Sequence, residues 1–269
     1  MKRLSLALVA IIAIPAHAAW GTGAGNAGTC TANSKTAGTS LTCTVATENM
    51  EAGKVAILWA GMDNVQTTDG NSTDCTSVQD SASNTWTKLR EFTNGQGAAA
   101  GGATVCLFYS KLATQLTSGT STITLNHSSL TARGIVVKEF QITSGNVVSI
   151  VGTPQDLAND AADPGSMTVG SLTNSEHLFL RATALERATG GTWTATTNFT
   201  SSTCNGSNAG GAASNMDACG EFRILTGTTA TSDPTGTAVD CASVFLAVDE
   251  AAPPAGPPSG GLSLVGVGR

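Results

Sequence analysis

The residues best suited to chemistry in this chain are the carboxylates and amides crowded into residues 62–76. Asp63-Asn64 and Asp69-Gly70-Asn71-Ser72-Thr73-Asp74 bring carboxylate, amide and hydroxyl oxygens into one loop. Calcium takes about six to eight oxygen ligands, and flexible acidic loops supply them. Asp63, Asp69, Asn71 and Asp74 are therefore a candidate Ca2+ site. The spacing is not that of an EF-hand, because no glutamate stands where that loop keeps its bidentate ligand. Asp and Asn are also ordinary turn residues, which is the competing reading. Asp156, Asn159, Asp160 and Asp163 form a second, weaker cluster ahead of Pro164.

Enzymatic chemistry has less to work with. A glycosidase needs two carboxylates facing each other across a cleft, and Glu139, Glu186 and Glu221 are the candidates. Glu139 and Glu221 each precede a phenylalanine, the pattern of a strand that alternates a charge with a core aromatic. A Ser-His-Asp triad needs a histidine base. Beyond the first nineteen residues only His127 and His177 exist, and neither Ser166 nor Ser243 lies in a Gly-x-Ser-x-Gly elbow. The Gly-rich stretch 95–102 carries no lysine, so it is not a phosphate cradle. The expectation is a non-enzymatic protein. Sugar stacking would use Trp86 and Trp193, which sit among threonines beside turns. Core packing is the alternative for either ring, and Trp59 reads as core.

Seven cysteines are present, and the N-terminus explains how they could be oxidised. Met1-Lys2-Arg3, an apolar run over 4–14 and Pro15-Ala16-His17-Ala18 have the layout of a signal peptide cut after Ala18 or Ala19. The run is too short to span a bilayer. Disulfides are then the default. Spacing favours Cys30 with Cys43, Cys75 with Cys106, and Cys204 with Cys219, although sequence alone leaves the connectivity open. Cys241, in an apolar run, reads as a buried inert thiol.

The formal charge is −6, and it becomes −8 once Lys2 and Arg3 leave with the signal. An acidic chain with no Lys/Arg cluster is a poor ligand for nucleic acid or for an anionic membrane. Charged residues make up 12% and hydrophobic ones 41%, too apolar a balance for disorder.

The elements that must position these groups read as short strands separated by Gly, Asn, Ser and Asp turns. Strands are expected over 41–46, 54–60, 103–110, 121–126, 132–142, 177–183, 192–199, 218–225 and 238–248. Only 175–187 is ambiguous with a helix. The fold class is all-β, an antiparallel β-sandwich or jelly roll with disulfide-clasped loops, in which two sheets bury one core. The domain plan is a signal peptide (1–19), a β-sandwich (20–250), a Pro/Gly linker (251–261) and a short apolar tip (262–269). The tip is too brief for a membrane anchor. It could dock on another subunit as an added strand, giving a homo-oligomer or larger assembly, or simply fray.

Several motifs resemble a β-sandwich family common in bacterial secreted proteins and in phage-associated or metagenomic proteins. Val78-Gln79-Asp80-Ser81-Ala82-Ser83-Asn84-Thr85-Trp86 is similar to that family's V-x-D-S-x-G-N-T-Y/W hairpin, with Ser83 in place of the turn glycine. Leu107-Phe108-Tyr109-Ser110-Lys111 is similar to its V-x-Y-A-K strand. Ser118-Gly119-Thr120-Ser121-Thr122-Ile123-Thr124-Leu125 and Val136-Val137-Lys138-Glu139-Phe140 are similar to its G-x-x-T-V-T-V and V-x-E-Y strands. Glu221-Phe222-Arg223-Ile224 matches the strand before the last. The resemblance implies a jelly-roll-like fold and a cell-surface or virion setting, and it transfers no catalytic residue. The expected function is thus an exported structural or adhesion module that meets a cell-surface glycan or protein through loops 62–76, 93–102 and 201–217. The alternatives are a secreted carbohydrate-active enzyme or its binding domain, and a subunit of a repeating extracellular assembly.

Overall fold

Residues 55–63 are apolar at almost every position, and their strand is buried along its whole length. That burial on both faces sets the architecture. A computed structural model describes residues 20–22, 27–143, 147–160, 163–187, 192–207, 215–238 and 240–251. The signal segment and the linker and tip beyond Ala251 lie outside the described residues.

In chain order the strands are β1 (Gly21–Thr22), β2 (Thr29–Ser34), β3 (Gly38–Thr44), β4 (Val55–Asp63), β5 (Cys75–Asp80), β6 (Thr87–Asn94), β7 (Ala103–Lys111), β8 (Thr122–Leu130), β9 (Arg133–Gln141) and β10 (Val147–Asn159). There follow β11 (Met167–Val169), β12 (Ser175–Glu186), β13 (Trp193–Thr194), β14 (Thr200–Ser201), β15 (Asn205–Gly206), β16 (Met216–Gly227), β17 (Ala230–Ser232), β18 (Thr235–Gly236) and β19 (Asp240–Ala251). No helix occurs among the described residues, and none is long and apolar enough to cross a membrane.

The fold is an all-β antiparallel sandwich. Its front sheet runs β1-β9-β4-β7-β6, with β2 also on β9; its back sheet runs β10-β19-β12-β16-β14, with β15 also on β16. A three-stranded cover sheet, β3-β8-β5, lies over the outer face of the front sheet. The first half of the chain builds the front and cover sheets, and the second half builds the back sheet and two short ribbons, β11-β17 and β13-β18.

Alternation along β4 shows how the layers join. Val55, Ile57 and Trp59 face the back sheet and pack with Leu178, Leu180, Phe222 and Leu246. Ala56, Leu58, Ala60 and Met62 face the cover sheet and pack with Leu41, Val78, Ile123 and Leu125. Each large aliphatic so buried contributes about 1.5–3 kcal/mol relative to exposure. The back sheet is likewise double-faced: Phe179, Phe245 and Ala247 lie under Met167, Val169 and Phe199. The single core anticipated between two sheets is therefore flanked by further clusters, because the central strands are apolar on both sides and need two covers.

Two local expectations resolve differently. Residues 175–187 form a strand, β12, which pairs on both sides with β16 and β19. The expected strand over 192–199 shrinks to Trp193–Thr194, because Thr196 is drawn down onto Glu221 and Asn198 takes φ 70°.

Cys30–Cys43 (Cα–Cα 5.7 Å) and Cys75–Cys106 (6.6 Å) join the front sheet to the cover sheet. Cys204–Cys219 (4.2 Å) ties the segment ahead of β15 to β16. Three bridges are what an oxidising, extracellular-type environment permits. Cys241 is free and buried, and burial pushes its thiol up to about 12.

Candidate functional site

Each polar residue singled out by sequence is placed by the strand that carries it. Asp80, at the end of β5, organises the turn that crosses from the cover sheet to β6 of the front sheet, which is not the hairpin the sequence motif suggests because β5 pairs with β8 and β6 with β7. Its Oδ1 accepts the backbone N–H groups of Ala82 (2.9 Å) and Asn84 (3.1 Å). Its Oδ2 accepts the Trp86 indole N–H at 2.7 Å. Asn84 in turn exchanges two hydrogen bonds with the backbone of Thr114. Trp86 packs against the cluster under the cover sheet. Trp193 packs instead beside Leu185, Cys219 and Cys241 on the outer face of the back sheet. The two rings lie on different cores with the sandwich between them, so they do not line one groove, and both are half-buried in packing roles.

The acidic loop 62–76 uses most of its oxygens to hold its own backbone and the neighbouring segments, while Asp74 Oδ1 is buried without a partner. Asp63 accepts the Ala132 N–H (2.9 Å), and Asp69 accepts the Gly95 N–H (2.8 Å). Asp74 accepts from Val65 N (3.1 Å) and the Thr104 hydroxyl (3.2 Å), and Asn71 accepts from the Thr73 hydroxyl (2.8 Å). Asn64 donates to the carbonyls of Gln66, Gly95 and Ala98 and accepts from Gly102 N, stitching 62–76 to 93–102. Asp63, Asp69 and Asp74 do not gather three ligand oxygens within 4.8 Å of one another. Among the described residues, the group that does satisfy this distance is Cys75, Glu91 and Cys106, whose sulfurs are already joined in a disulfide. The loop is a hydrogen-bonded frame. In this structure Asp63, Asp69 and Asn71 of the candidate quartet serve as loop-scaffold acceptors, and Asp74 does so through Oδ2 while its Oδ1 is buried without a partner.

That frame forms one wall of a cleft of about 300 Å³. Gly70 and Ser72 come from the loop, Lys88, Arg90 and Glu91 from β6, and Asp156 from β10, with Leu89 in the floor. Strands β6 and β10 are the outer edges of the front and back sheets. Both are bulged, at 88–90 and at 151–155, and bulges re-aim side chains at sheet edges. Arg90 grips Asp156 through two nitrogens, with Nε–Oδ1 at 2.8 Å, closing the seam between the sheets. This bond to Asp156 raises the Arg90 pKa further. Lys88 reaches Glu91 Oε2 at 2.5 Å, while Glu91 Oε1 accepts from Asp74 N (2.6 Å) and Cys75 N (3.0 Å). Two cations and two carboxylates therefore balance within the cleft.

The glutamates named as catalytic candidates occupy three different faces. Glu221 is fully buried on the outer face of the back sheet, opposite Arg181, and accepts from Thr196 and Ser232. Glu139 shares its side of β9 with Ile135 and Val137, and burial raises its pKa. Glu186 lies at the end of the sandwich opposite Asp240. Burial, then the charge of Asp240 and contact with it, push Glu186 up to about 7.

A Ser-His-Asp sequence does occur in space. His177 Nδ1 meets Asp249, and Ser175 Oγ stands 3.4 Å from Nε2. Nε2 is 2.9 Å from the Thr173 carbonyl, which can only accept, so that nitrogen carries a hydrogen and cannot take a proton from Ser175. This is a buried strap between β12 and β19. Sequence reasoning had no access to it, or to Arg90–Asp156, because partners 72 and 66 residues apart meet only through sheet pairing.

No protein-family model, curated protein or solved structure matches the chain.

Proposed function

We propose that this protein is an exported, non-enzymatic recognition module of a cell surface or virion, and that its cleft at Ser72, Lys88, Arg90 and Asp156 binds a neutral glycan. The observation that carries this reading is the internal charge balance of the cleft. A site for phosphate or a carboxylate ligand needs surplus positive charge, whereas here Lys88 and Arg90 are matched by Glu91 and Asp156. What remains is a concave array of donors and acceptors at fixed positions. It includes Arg90 N–H groups not given to Asp156 and the hydroxyl of Ser72, and it suits polyhydroxyl ligands. The rigid scaffold beneath it, with two bridges stapling the cover sheet, supports presentation of loops. The placement of Glu139, Glu186 and Glu221 on separate faces supports a binding role over glycoside hydrolysis. Export rests on the signal-peptide layout of residues 1–19 and agrees with the three disulfides.

The test is a glycan array probed with the oxidised protein, alongside Lys88→Ala and Ser72→Ala. Saturable binding to one neutral glycan class, weakened about tenfold by Lys88→Ala at a temperature well below that variant's own melting point, is expected. Absence of binding, or binding indifferent to both substitutions, overturns the reading.

A further inference from the structure

The end of the sandwich opposite Trp20, whose N–H meets Glu176 at the start of β12, holds a pair of acids that no ion pair in the described structure neutralises. The β12–β19 register sets Glu186 directly across from Asp240, on the face that carries Met216 into the main core. Their carboxyl groups are close enough to share a proton when no ion is bound. Glu186 is only 3% exposed, and its Oε2 is buried with no donor. Like charges facing each other across a ladder repel, and a buried carboxylate without a partner costs several kcal/mol.

The surroundings aggravate the repulsion. Asp63, from β4, adds its charge to Glu186, and Asp160, beyond β10, adds its charge to Asp240. Among the described residues neither Glu186 nor Asp240 has a Lys, Arg or His within ion-pair distance. The nearby arginines turn elsewhere: Arg187 meets Asp217 through Nε and has its Nη1 buried without a partner, and Arg133 donates to the carbonyls of Thr36, Leu130, Thr131 and Ser40 and offsets the charge of Asp63.

We propose that Glu186 and Asp240 bind a hard divalent cation, calcium or magnesium. The chemistry of the donors selects the ion. Cys241 follows Asp240 directly but faces the opposite side of the back sheet with Leu185, so the site presents oxygen and no thiol or imidazole. Oxygen-only sites favour calcium or magnesium over zinc. Asp63 and Asp160 stand outside ligand distance, since no group of three carboxylates closes there. Water completes the shell on the Asp240 side, which is half-exposed. Asn94 (3.0 Å) and Gln96 hold Asp160 by hydrogen bonds and fix the outer rim. This site is separate from the cleft, so its test does not depend on glycan binding.

The experiment is thermal melting of the oxidised, chelator-stripped protein titrated with CaCl2, MgCl2 or NaCl at fixed pH 7.5, with calorimetric titration of CaCl2. Saturable stabilisation by calcium or magnesium, but not by sodium, of about 5 °C or more at large excess is expected. Glu186→Gln, which keeps the shape and can hydrogen-bond Asp240, abolishes that shift while itself melting no lower than the stripped wild type. A wild type indifferent to calcium and magnesium overturns the proposal and leaves a shared proton as the bridge. Divalent-ion stabilisation that survives both Glu186→Gln and Asp240→Asn overturns it by placing the ion elsewhere.

Discussion

Gly220 lies directly beneath the indole of Trp59, and the absence of its side chain lets the two main sheets meet. A Cβ on Gly220 would stand 2.5 Å from Trp59 Cδ1 and 2.6 Å from Nε1. That same Nε1 donates to the Arg181 carbonyl at 2.9 Å, so a front-sheet ring is pinned to a back-sheet backbone. Trp59 is fully buried and has no room to retreat. Gly220→Ala is therefore expected to cost about 1–3 kcal/mol by overpacking. Chemical denaturation measures it, and an unchanged midpoint would mean the interface is looser than these distances require.

Arg181 and Glu221 face each other across the β12–β16 ladder, both fully buried, and Ser232 links them: its hydroxyl donates to Glu221 (2.5 Å) and accepts from Arg181 (3.2 Å). Arg181 also donates to the carbonyls of Pro164 and Gly165. It thus clamps 163–165 and β17 onto the sheet. Burial lowers its pKa to about 10, leaving it charged at neutral pH. Arg181→Met strands the Glu221 carboxylate and should cost about 3–5 kcal/mol. The double variant Arg181→Met/Glu221→Leu removes both charges and should be more stable than the single one. If the double variant is the worse of the two, the carboxylate is serving the loop through Thr196 and Ser232 more than the arginine.

Much of this fold was legible in the sequence. Alternation in 121–126 and the apolar run at 54–60 mark strands without any tertiary knowledge, because one-faced burial imposes a period of two and two-faced burial erases it. The acidic loop was legible as a feature, and its bonding was not. Composition shows that Asp63 and Asp74 are present; it does not show that the N–H groups of Ala132 and Val65 claim one oxygen of each. The cleft was half legible: loop 62–76 could be chosen on length and polarity. Its opposite wall, Asp156, arrives from the other sheet through an edge contact that no local pattern encodes.

His127 gives a pH signature of definite sign. Its Nδ1 donates to the Ser128 carbonyl at 2.7 Å, and its Nε2 is buried with no partner. Burial lowers its pKa below the ordinary 6.5, helped by the charge of Arg133, while Asp74 and backbone hydrogen bonds oppose the shift. The unfolded chain then takes up a proton near pH 6.5 that the folded chain refuses. Stability from this group is full above that pH and is lost as pH falls below it. Melting temperatures between pH 7.5 and 5 should decline more steeply for the wild type than for His127→Gln. Parallel slopes would show that His127 protonates without penalty in the folded state.

Ser83 occupies the one position of the turn between β5 and β6 that a side chain disfavours. Its φ is 61°, in the left-handed region, and its N–H bonds back to the Asp80 carbonyl at 3.2 Å. An L-residue pays about 1–2 kcal/mol there, and glycine pays instead in unfolded-state entropy, about 0.5–1 kcal/mol. The difference favours Ser83→Gly by up to about 1.5 kcal/mol, or at most about 3–6 °C in a domain of this size. Asp80 remains to hold Ala82, Asn84 and Trp86, so the gain should arise without any change in the turn. Ser83→Val tests the same strain from the other side, since a β-branched residue at positive φ should lower the melting temperature. If glycine destabilises while valine is tolerated, the turn is not strained at this residue, and the Asp80 network alone dictates its shape.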